Sequence, residues 1–432
     1  MFVLYNLKHI DFNKITRNRE NMTCLLTIQY ILIGILIIYW AYQAVISILS
    51  LRKFEEKKKL YDKKHSFMII IPAHNEENVI ENLILSIKNQ HYPKELFDIY
   101  VIADNCNDAT ADIAKRLGAT VMHRNDPVNK TKGFAIRWFI SRIISKEVKY
   151  DAFCVFDADN IVEKDFLNNI NDKLCRGFNI VQGYRDIKNP TDSWVSSGYA
   201  IFYWIMNRFY HFARYTIGFS PLINGTGFVV KFDRIIPDGW NTISLTEDIE
   251  FSLINISAGE KIGWARDAVI YDEQPVDFST SWYQRERWTV GHLQCLKNYF
   301  FELIKGTSKY KKLYVFDGLL YIIGIPLLLI SLIIFVINIV IYMQGEMIYN
   351  DFFINNASFF FSTFIAPILI GIFTMILDRR KLLPMTKGLI LYPLFMGSWI
   401  LIIIKSLIKP NTKWKKVEHV NKLKIEDLVG NE

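Results

Sequence analysis

Three stretches of this chain, residues 21–51, 318–345 and 352–377, contain no Asp, Glu, Lys or Arg. Each exceeds the ~20 apolar residues needed to cross a bilayer core. Inside lipid every backbone N–H and C=O must be bonded internally, which leaves the helix as the natural fold for such a segment. Spans are therefore expected at about 25–50, 315–343 and 353–377. The stretch from Gly388 to Ile404 is also uncharged, but it is shorter, holds Pro393 and runs into Lys405 and Lys409. Lysines at a helix end can snorkel to the interface, so a fourth span is expected over about 388–408. A hydrophobic content of 51% over 432 residues agrees with a membrane component.

The net charge of +8 raises nucleic acid as a partner, but its distribution argues against this. Arg52, Lys53, Lys57, Lys58, Lys59, Lys63 and Lys64 follow the first apolar run, where basic residues orient a membrane chain. The domain that follows is expected in the cytoplasm, although Lys8, Lys14, Arg17 and Arg19 precede the same run. The loop Gln344–Asp351 is acidic, whereas Arg379, Arg380, Lys381 and Lys387 follow the third run. A full fourth span would put the basic tail outside, and a re-entrant one would keep it inside. No cleavable signal peptide is expected, because the first run is long and follows some twenty polar and basic residues. Cys24, Cys106, Cys154, Cys175 and Cys295 lack CxxC spacing, which suits a reducing compartment and gives neither a zinc site nor a disulfide framework.

From Lys64 to about Tyr310 the composition is that of an α/β domain. The apolar run Phe67–Ile71 reads as a strand closed by Pro72, followed by a helix within Asn75–Lys88 whose Val79, Ile80, Leu83, Ile84 and Ile87 share one face. Strands at Ile99–Ala103, Ala119–Met122 and Ala152–Phe156 alternate with helices at Ala109–Leu117 and Phe134–Ile144. That alternation predicts a mostly parallel sheet with ligands at the carboxyl ends of its strands. Trp194–Phe219 reads as either an interfacial or a buried helix.

Polar motifs fall at those strand ends. Asp157-Ala-Asp159 can hold one Mg²⁺ or Mn²⁺ and leave positions open for diphosphate oxygens, with a solvated turn as the alternative. Asp104 can accept a uracil imide N–H, or it and Asp108 can cap a helix. Lys132 can meet a phosphate as a point charge. A sugar hydroxyl must lose its proton as it attacks, and Asp248 in Thr246-Glu247-Asp248 is the candidate base. Arg287 can stabilise a departing diphosphate, and Trp288 offers a stacking face to an acceptor sugar.

The ordered set Pro72-Ala-His-Asn-Glu76, Asp104, Asp157-Ala-Asp159, Thr246-Glu-Asp248 and Gln284-x-x-Arg287-Trp288, flanked by apolar spans, resembles the family 2 glycosyltransferases of the cellulose, hyaluronan, chitin and poly-N-acetylglucosamine synthase type. The likeness covers about residues 65–300. It implies a GT-A (Rossmann-like) α/β catalytic domain, a UDP-sugar donor, a divalent metal and inversion at the anomeric carbon. By the same likeness His74, Glu76, Asp104, Lys132, Asp157 and Gln284 would bind the donor, with Asp157 and Asp159 at the metal. Asp248, Glu247 and Arg287 would form the catalytic group. Trp288, Gly225 and Thr226 would meet the acceptor, the last two within Asn224-Gly-Thr-Gly-Phe228.

This chain departs from the pattern in two respects: His74 stands where tyrosine is frequent, and fewer spans surround the domain than in the largest cellulose synthases. The expected layout is residues 1–64 with one span, a catalytic domain over 65–310, and a membrane domain with a basic tail over 311–432. The expected activity is transfer of glucose, or else N-acetylglucosamine, to a growing β-linked polysaccharide that is exported through a multi-pass cell-membrane protein. A non-processive transferase acting on a lipid acceptor is the enzymatic rival. A non-catalytic scaffold or transporter is the other.

Overall fold

Strand β1 (Phe67–Ala73) carries Phe67, Met68, Ile69, Ile70 and Ile71 in one run, and all five are buried. A strand apolar on both faces must be covered on both, and the computed structural model shows helices on each side. It describes residues 12–51, 56, 61–145, 148–235, 239–343, 356–357, 359–411, 419, 421, 423 and 426–427. One face packs Phe67, Ile69 and Ile71 against Ile80, Leu83, Ile84 and Ile87 of a helix over Ile80–Lys88. The other packs Met68 and Ile70 against Ile136, Phe139 and Ile140 of a helix over Lys132–Ile144. Each fully buried side chain of this kind stabilises the fold by about 1.5–3 kcal/mol.

The remaining strands are β2 (Phe97–Asp104), β3 (Thr120–Arg124), β4 (Ala152–Val155), β5 (Ile161–Val162), β6 (Ile180–Ile187), β7 (Phe228–Lys231) and β8 (Ile262–Asp272). They form one sheet in the order β3-β2-β1-β4-β7-β6-β8-β5. Pairings β1/β2, β1/β4, β2/β3 and β6/β8 are parallel, whereas β7 runs antiparallel to both β4 and β6, and β5 antiparallel to β8. The expected mostly parallel sheet is thus corrected to a mixed one. The four-residue strand β7 enters between the two parallel portions, and so short a segment carries no periodicity that a sequence reading can use.

The chain divides into two compact units, Met1–Val45 with Gly324–Ala366, and Ile46–Ile323 with Pro367–Glu432. In the first, the buried Gln29 Nε2 donates to Asn338 Oδ1 at 2.7 Å, and Asn338 Nδ2 to Asn356 Oδ1 at 2.8 Å. In the second, Trp194–Phe219 is a buried element, with Tyr199, Ala200 and Ile201 fully enclosed. It comprises a helix over Trp194–Ile205, started by a Ser193 capping box, and a π-helix over Met206–Phe212.

Among the described residues three helices are long and apolar enough to cross a membrane: Thr23–Leu49, Gly324–Met343 and Leu383–Ile408. The segment expected over 315–343 divides at Ile323, and its first part, Leu313–Ile322, buries Tyr314, Val315 and Ile322 in the core beside the sheet. The segment expected over 353–377 begins outside the described residues, and its described apolar helix is Phe361–Leu377. The fourth expected segment is the longer one, because helix extends upstream through Leu383 and accommodates Pro393. Arg52, Lys53, Lys57, Lys58, Lys59 and the loop Gln344–Asp351, used above to orient the chain, lie outside the described residues, as do Lys8 and most of the basic tail.

Candidate active site

The carboxyl end of β4 delivers Asp157 and Asp159, and the last residue of β8 is Asp272. One carboxylate oxygen from each lies within 4.8 Å of the others. Three hard oxygen donors this close suit a divalent cation of the Mg²⁺ or Mn²⁺ type. The surrounding bonds hold the donors in place. Asp272 accepts from Asn160 Nδ2 at 2.8 Å and from Arg185 Nε at 3.0 Å. Asp159 accepts from Glu273 N at 3.0 Å. Burial pushes Asp159 up, and pushes Asp272 up to about 7, with the neighbouring carboxylates adding to both.

Lys132 opens its helix beside this cluster, donating to Asp157 and, at 2.7 Å, to Gly225 O. Gly225 has φ of +92°, a conformation open to glycine, and a Cβ placed there would lie 3.4 Å from Asp248 Oδ2. Asp248 and Glu247 occupy the first turn of a helix over Glu247–Ser257. Burial raises both, Glu247 to about 7 with Asp248 as its second cause. The helix over Phe278–Tyr310 clasps the loop before them: Leu245 N donates to Gln294 Oε1 at 3.0 Å, and Arg287 Nη1 donates to Leu245 O at 2.8 Å. Gln284 Oε1 accepts from Tyr199 Oη at 3.0 Å, and Trp288 meets the Tyr199 ring edge-on at 5.9 Å. Thr226 is fully buried; its hydroxyl accepts from Asp157 N at 3.0 Å and donates to Asn160 Oδ1, so it positions the metal-side loop.

The other expected donor residues gather at the ends of β1 and β2. His74 Nδ1 donates to Asp104 O at 2.7 Å. The Asp104 carboxylate accepts from Arg124 Nη1 at 2.6 Å, and burial pushes it upward against that pairing. Glu76 faces His419 Nδ1 at 3.1 Å.

Several members of this site escape a motif-based reading. Asp272, Arg185 and Arg124 are single residues within or at the ends of strands, with no spacing that marks them. His419 comes from the tail: burial alone would lower it, but Asp159, Glu76 and Glu273 push it up to about 10. Beside it Asn421 O accepts from Lys188 Nζ at 2.9 Å. Asn224, in the glycine loop, keeps both side-chain amide atoms buried without a partner among the described residues. Buried amides are ordinarily bonded, so this one is ready for a ligand.

The chain is similar to several known proteins. A probable glycosyltransferase, YdaM of Bacillus subtilis, is 26% identical over 82% of this chain and 87% of its own. A beta-monoglucosyldiacylglycerol synthase of Trichormus variabilis is 24% identical over 59% of this chain and 55% of its own. The poly-beta-1,6-N-acetyl-D-glucosamine synthase of Staphylococcus aureus is 25% identical over 61% and 63%. The chain thus spans less than two thirds of the length of these two synthases. Among solved structures, the mannosyltransferase PcManGT of Pyrobaculum calidifontis, in complex with GDP-Man and Mn²⁺, aligns with a TM-score of 0.56 at 14% identity, covering 88% of this chain and all of that one, and supports the GT-A-like fold. The model of the family described as glycosyltransferase like family 2 matches residues 65–291, more than half of the sequence, and the chain therefore belongs to that family of enzymes.

Proposed function

We propose that this chain is an inverting hexosyltransferase of the cell membrane, with its catalytic domain in the cytoplasm. It moves glucose, or N-acetylglucosamine as second choice, from a UDP-sugar onto a growing β-linked polysaccharide and exports the product through its helices. The observation that carries the reading is the approach of Asp248 to Gly225, beside the Asp157–Lys132 pair. It puts a buried base next to backbone that a sugar can approach closely.

The donor lies with its uracil imide N–H on Asp104 and its ring against His74, and with Glu76 and Gln284 flanking the ribose and the sugar. Lys132 exchanges part of its bonding with Asp157 for a phosphate oxygen. Bound by Asp157, Asp159 and Asp272, Mg²⁺ or Mn²⁺ would neutralise the charge that builds on the departing diphosphate. Trp288, Gly225 and Thr226 shape the acceptor side. The acceptor hydroxyl gives its proton to Asp248 as its oxygen bonds to the anomeric carbon, the bond from that carbon to the UDP oxygen breaks, and UDP leaves. A single displacement of this kind inverts the anomeric centre. Arg287 steadies the diphosphate, while Glu247 keeps negative potential beside the base.

A second reading differs in the acceptor alone: one or a few sugars pass to a lipid. The similarity to the glucosyldiacylglycerol synthase supports it as much as the similarity to the poly-N-acetylglucosamine synthase supports the first. The deciding experiment is UDP release by the protein in lipid nanodiscs with Mg²⁺ or Mn²⁺, offering UDP-glucose and UDP-N-acetylglucosamine separately and sizing the product. A long polymer supports the first reading. Short products that appear only when a diacylglycerol is added replace it with the second, and no turnover with either donor overturns the donor assignment.

A further inference from the structure

Side chains alternate along β6, so Tyr184 and Asp186 face away from Arg185 and the carboxylate cluster. On that opposite face lies a cavity of about 190 Å³. Two irregularities shape its walls. One is the π-helix Met206–Phe212, which contributes Asn207 and Arg208; π-helical turns are rare and concentrate at functional sites. The other is a bulge in β8, where the pairing with β6 passes from Gly183↔Ala265 to Tyr184↔Val269, and the extra residues include Arg266 and Asp267. Bulges re-aim side chains, and here both charged groups reach the cavity mouth.

The polar groups of this cavity are incompletely satisfied. Asn207 and Trp264 are almost wholly buried, yet Asn207 Oδ1, Trp264 Nε1 and Arg208 Nε have no hydrogen-bond partner among the described residues. Arg380 donates to Asp186 at 2.6 Å, but Arg208 reaches Asp378 only at 3.5 Å. Arg266 stacks over Phe212 at 5.4 Å and forms no ion pair, and the Asp267 carboxylate accepts no bond, among the described residues. Native proteins seldom leave buried polar atoms in this state without a ligand or water to meet them.

The unpaired Trp264 N–H and Asn207 Oδ1, with the long-paired Arg208 and the exposed Arg266 and Asp267 beside them, specify a ligand. Arg208, Arg266 and the Trp264 N–H are donors, two of them cationic and of the fork geometry that fits phosphate oxygens. Asn207 Oδ1 and the Asp267 carboxylate are acceptors, which call for a hydroxyl or ammonium group next to that phosphate. We propose that this cavity binds a phosphate ester carrying a neighbouring hydroxyl or ammonium donor, in the form of a glycerophospholipid headgroup, at a site separate from the catalytic one. The lipid source follows from position and rests on the membrane reading above. Asp378 and Arg380 come directly after the apolar helix Phe361–Leu377, where a chain leaving the hydrocarbon meets headgroups.

The test uses the full chain, delipidated in neutral detergent without nucleotide sugar. Native mass spectrometry and thermal unfolding are followed with dioleoyl-phosphatidylglycerol, dioleoyl-phosphatidylcholine and glycerol 3-phosphate. One phosphatidylglycerol retained per chain, held about tenfold more weakly by Arg266→Ala as one charge-assisted bond is lost, supports the proposal. Tight binding of glycerol 3-phosphate, with the same loss in Arg266→Ala, supports the chemistry and assigns a soluble phosphate ester as its source. Retention indifferent to both Arg266→Ala and Asp267→Asn, binding of phosphatidylcholine as tight as that of phosphatidylglycerol, or no binding, overturns it. Arg266 and Asp267 are exposed, so their variants should fold, and because binding is read without turnover, failure here is distinct from failure of the transferase reading.

Discussion

The two ends of the strand row treat buried carboxylates differently. At β2, Asp104 pairs with the buried guanidinium of Arg124, which also serves Asp126. At β4 and β8, Asp157, Asp159 and Asp272 crowd together, with Glu247 and Asp248 nearby, and share Arg185 and Lys132 among them. Both places cost desolvation, but the second crowds more carboxylates together. On the proposed reading the first is a recognition surface, whereas the second is completed by a cation and an incoming proton.

The contrast can be broken at either end. The largest effect is expected from Asp248→Asn, which keeps the shape but removes the proton acceptor. UDP release should fall roughly 10²–10⁴-fold while UDP binding, measured by calorimetry, is retained; near-normal turnover would remove Asp248 from the role of base. Next comes Arg124→Ala, which leaves Asp104 buried and unpaired and should cost about 3–5 kcal/mol of stability, read as a lower unfolding midpoint. A midpoint close to wild type would mean that Asp104 does not depend on its partner. Asn160→Ala removes a bond that orients Asp272 and a partner of Thr226. Apparent Mn²⁺ affinity should weaken about 10–100-fold, and an unchanged metal titration would count against the three-carboxylate site.

The smallest effect sharpens the comparison through pH. Burial raises Glu247 to about 7 and Asp248 in the same direction, so the negative potential that Glu247 keeps beside the base is lost as pH falls through about 7. Activity should fall between pH 8 and pH 6, where an ordinary carboxylate would stay ionised. A profile flat down to pH 5 would show that the pair is ionised throughout and that burial does not govern it.

The same division explains what the sequence reveals. Strands β1, β2 and β4 read easily because unbroken apolar runs end in Pro72, Asp104 and Asp157, and the donor half of the site follows from those ends. Strand β6 is hidden, because its interior carries Gln182, Arg185 and Asp186, all buried and bonded. Hydropathy cannot separate such a strand from a loop, and Asp272 is hidden along with it. The tail contact of His419 with Glu76 spans 343 residues, and a lone histidine in a basic segment gives no sign of its destination.

The closing helix also bears on how the enzyme can be divided for study. Gly198 is packed so closely that an added Cβ would lie 2.8 Å from the Phe395 ring. Arg285, fully buried, bonds Ser281 through Nε, but its Nη1 donates to Phe395 O at 2.9 Å and Ser398 Oγ at 2.7 Å. Trimming the gene after Tyr310 to obtain a water-soluble catalytic fragment would uncover that aromatic seam and strand a guanidinium in it. Such a fragment should be recovered as aggregate, whereas one that retains Leu383–Ile408 and is handled in detergent should keep its shape.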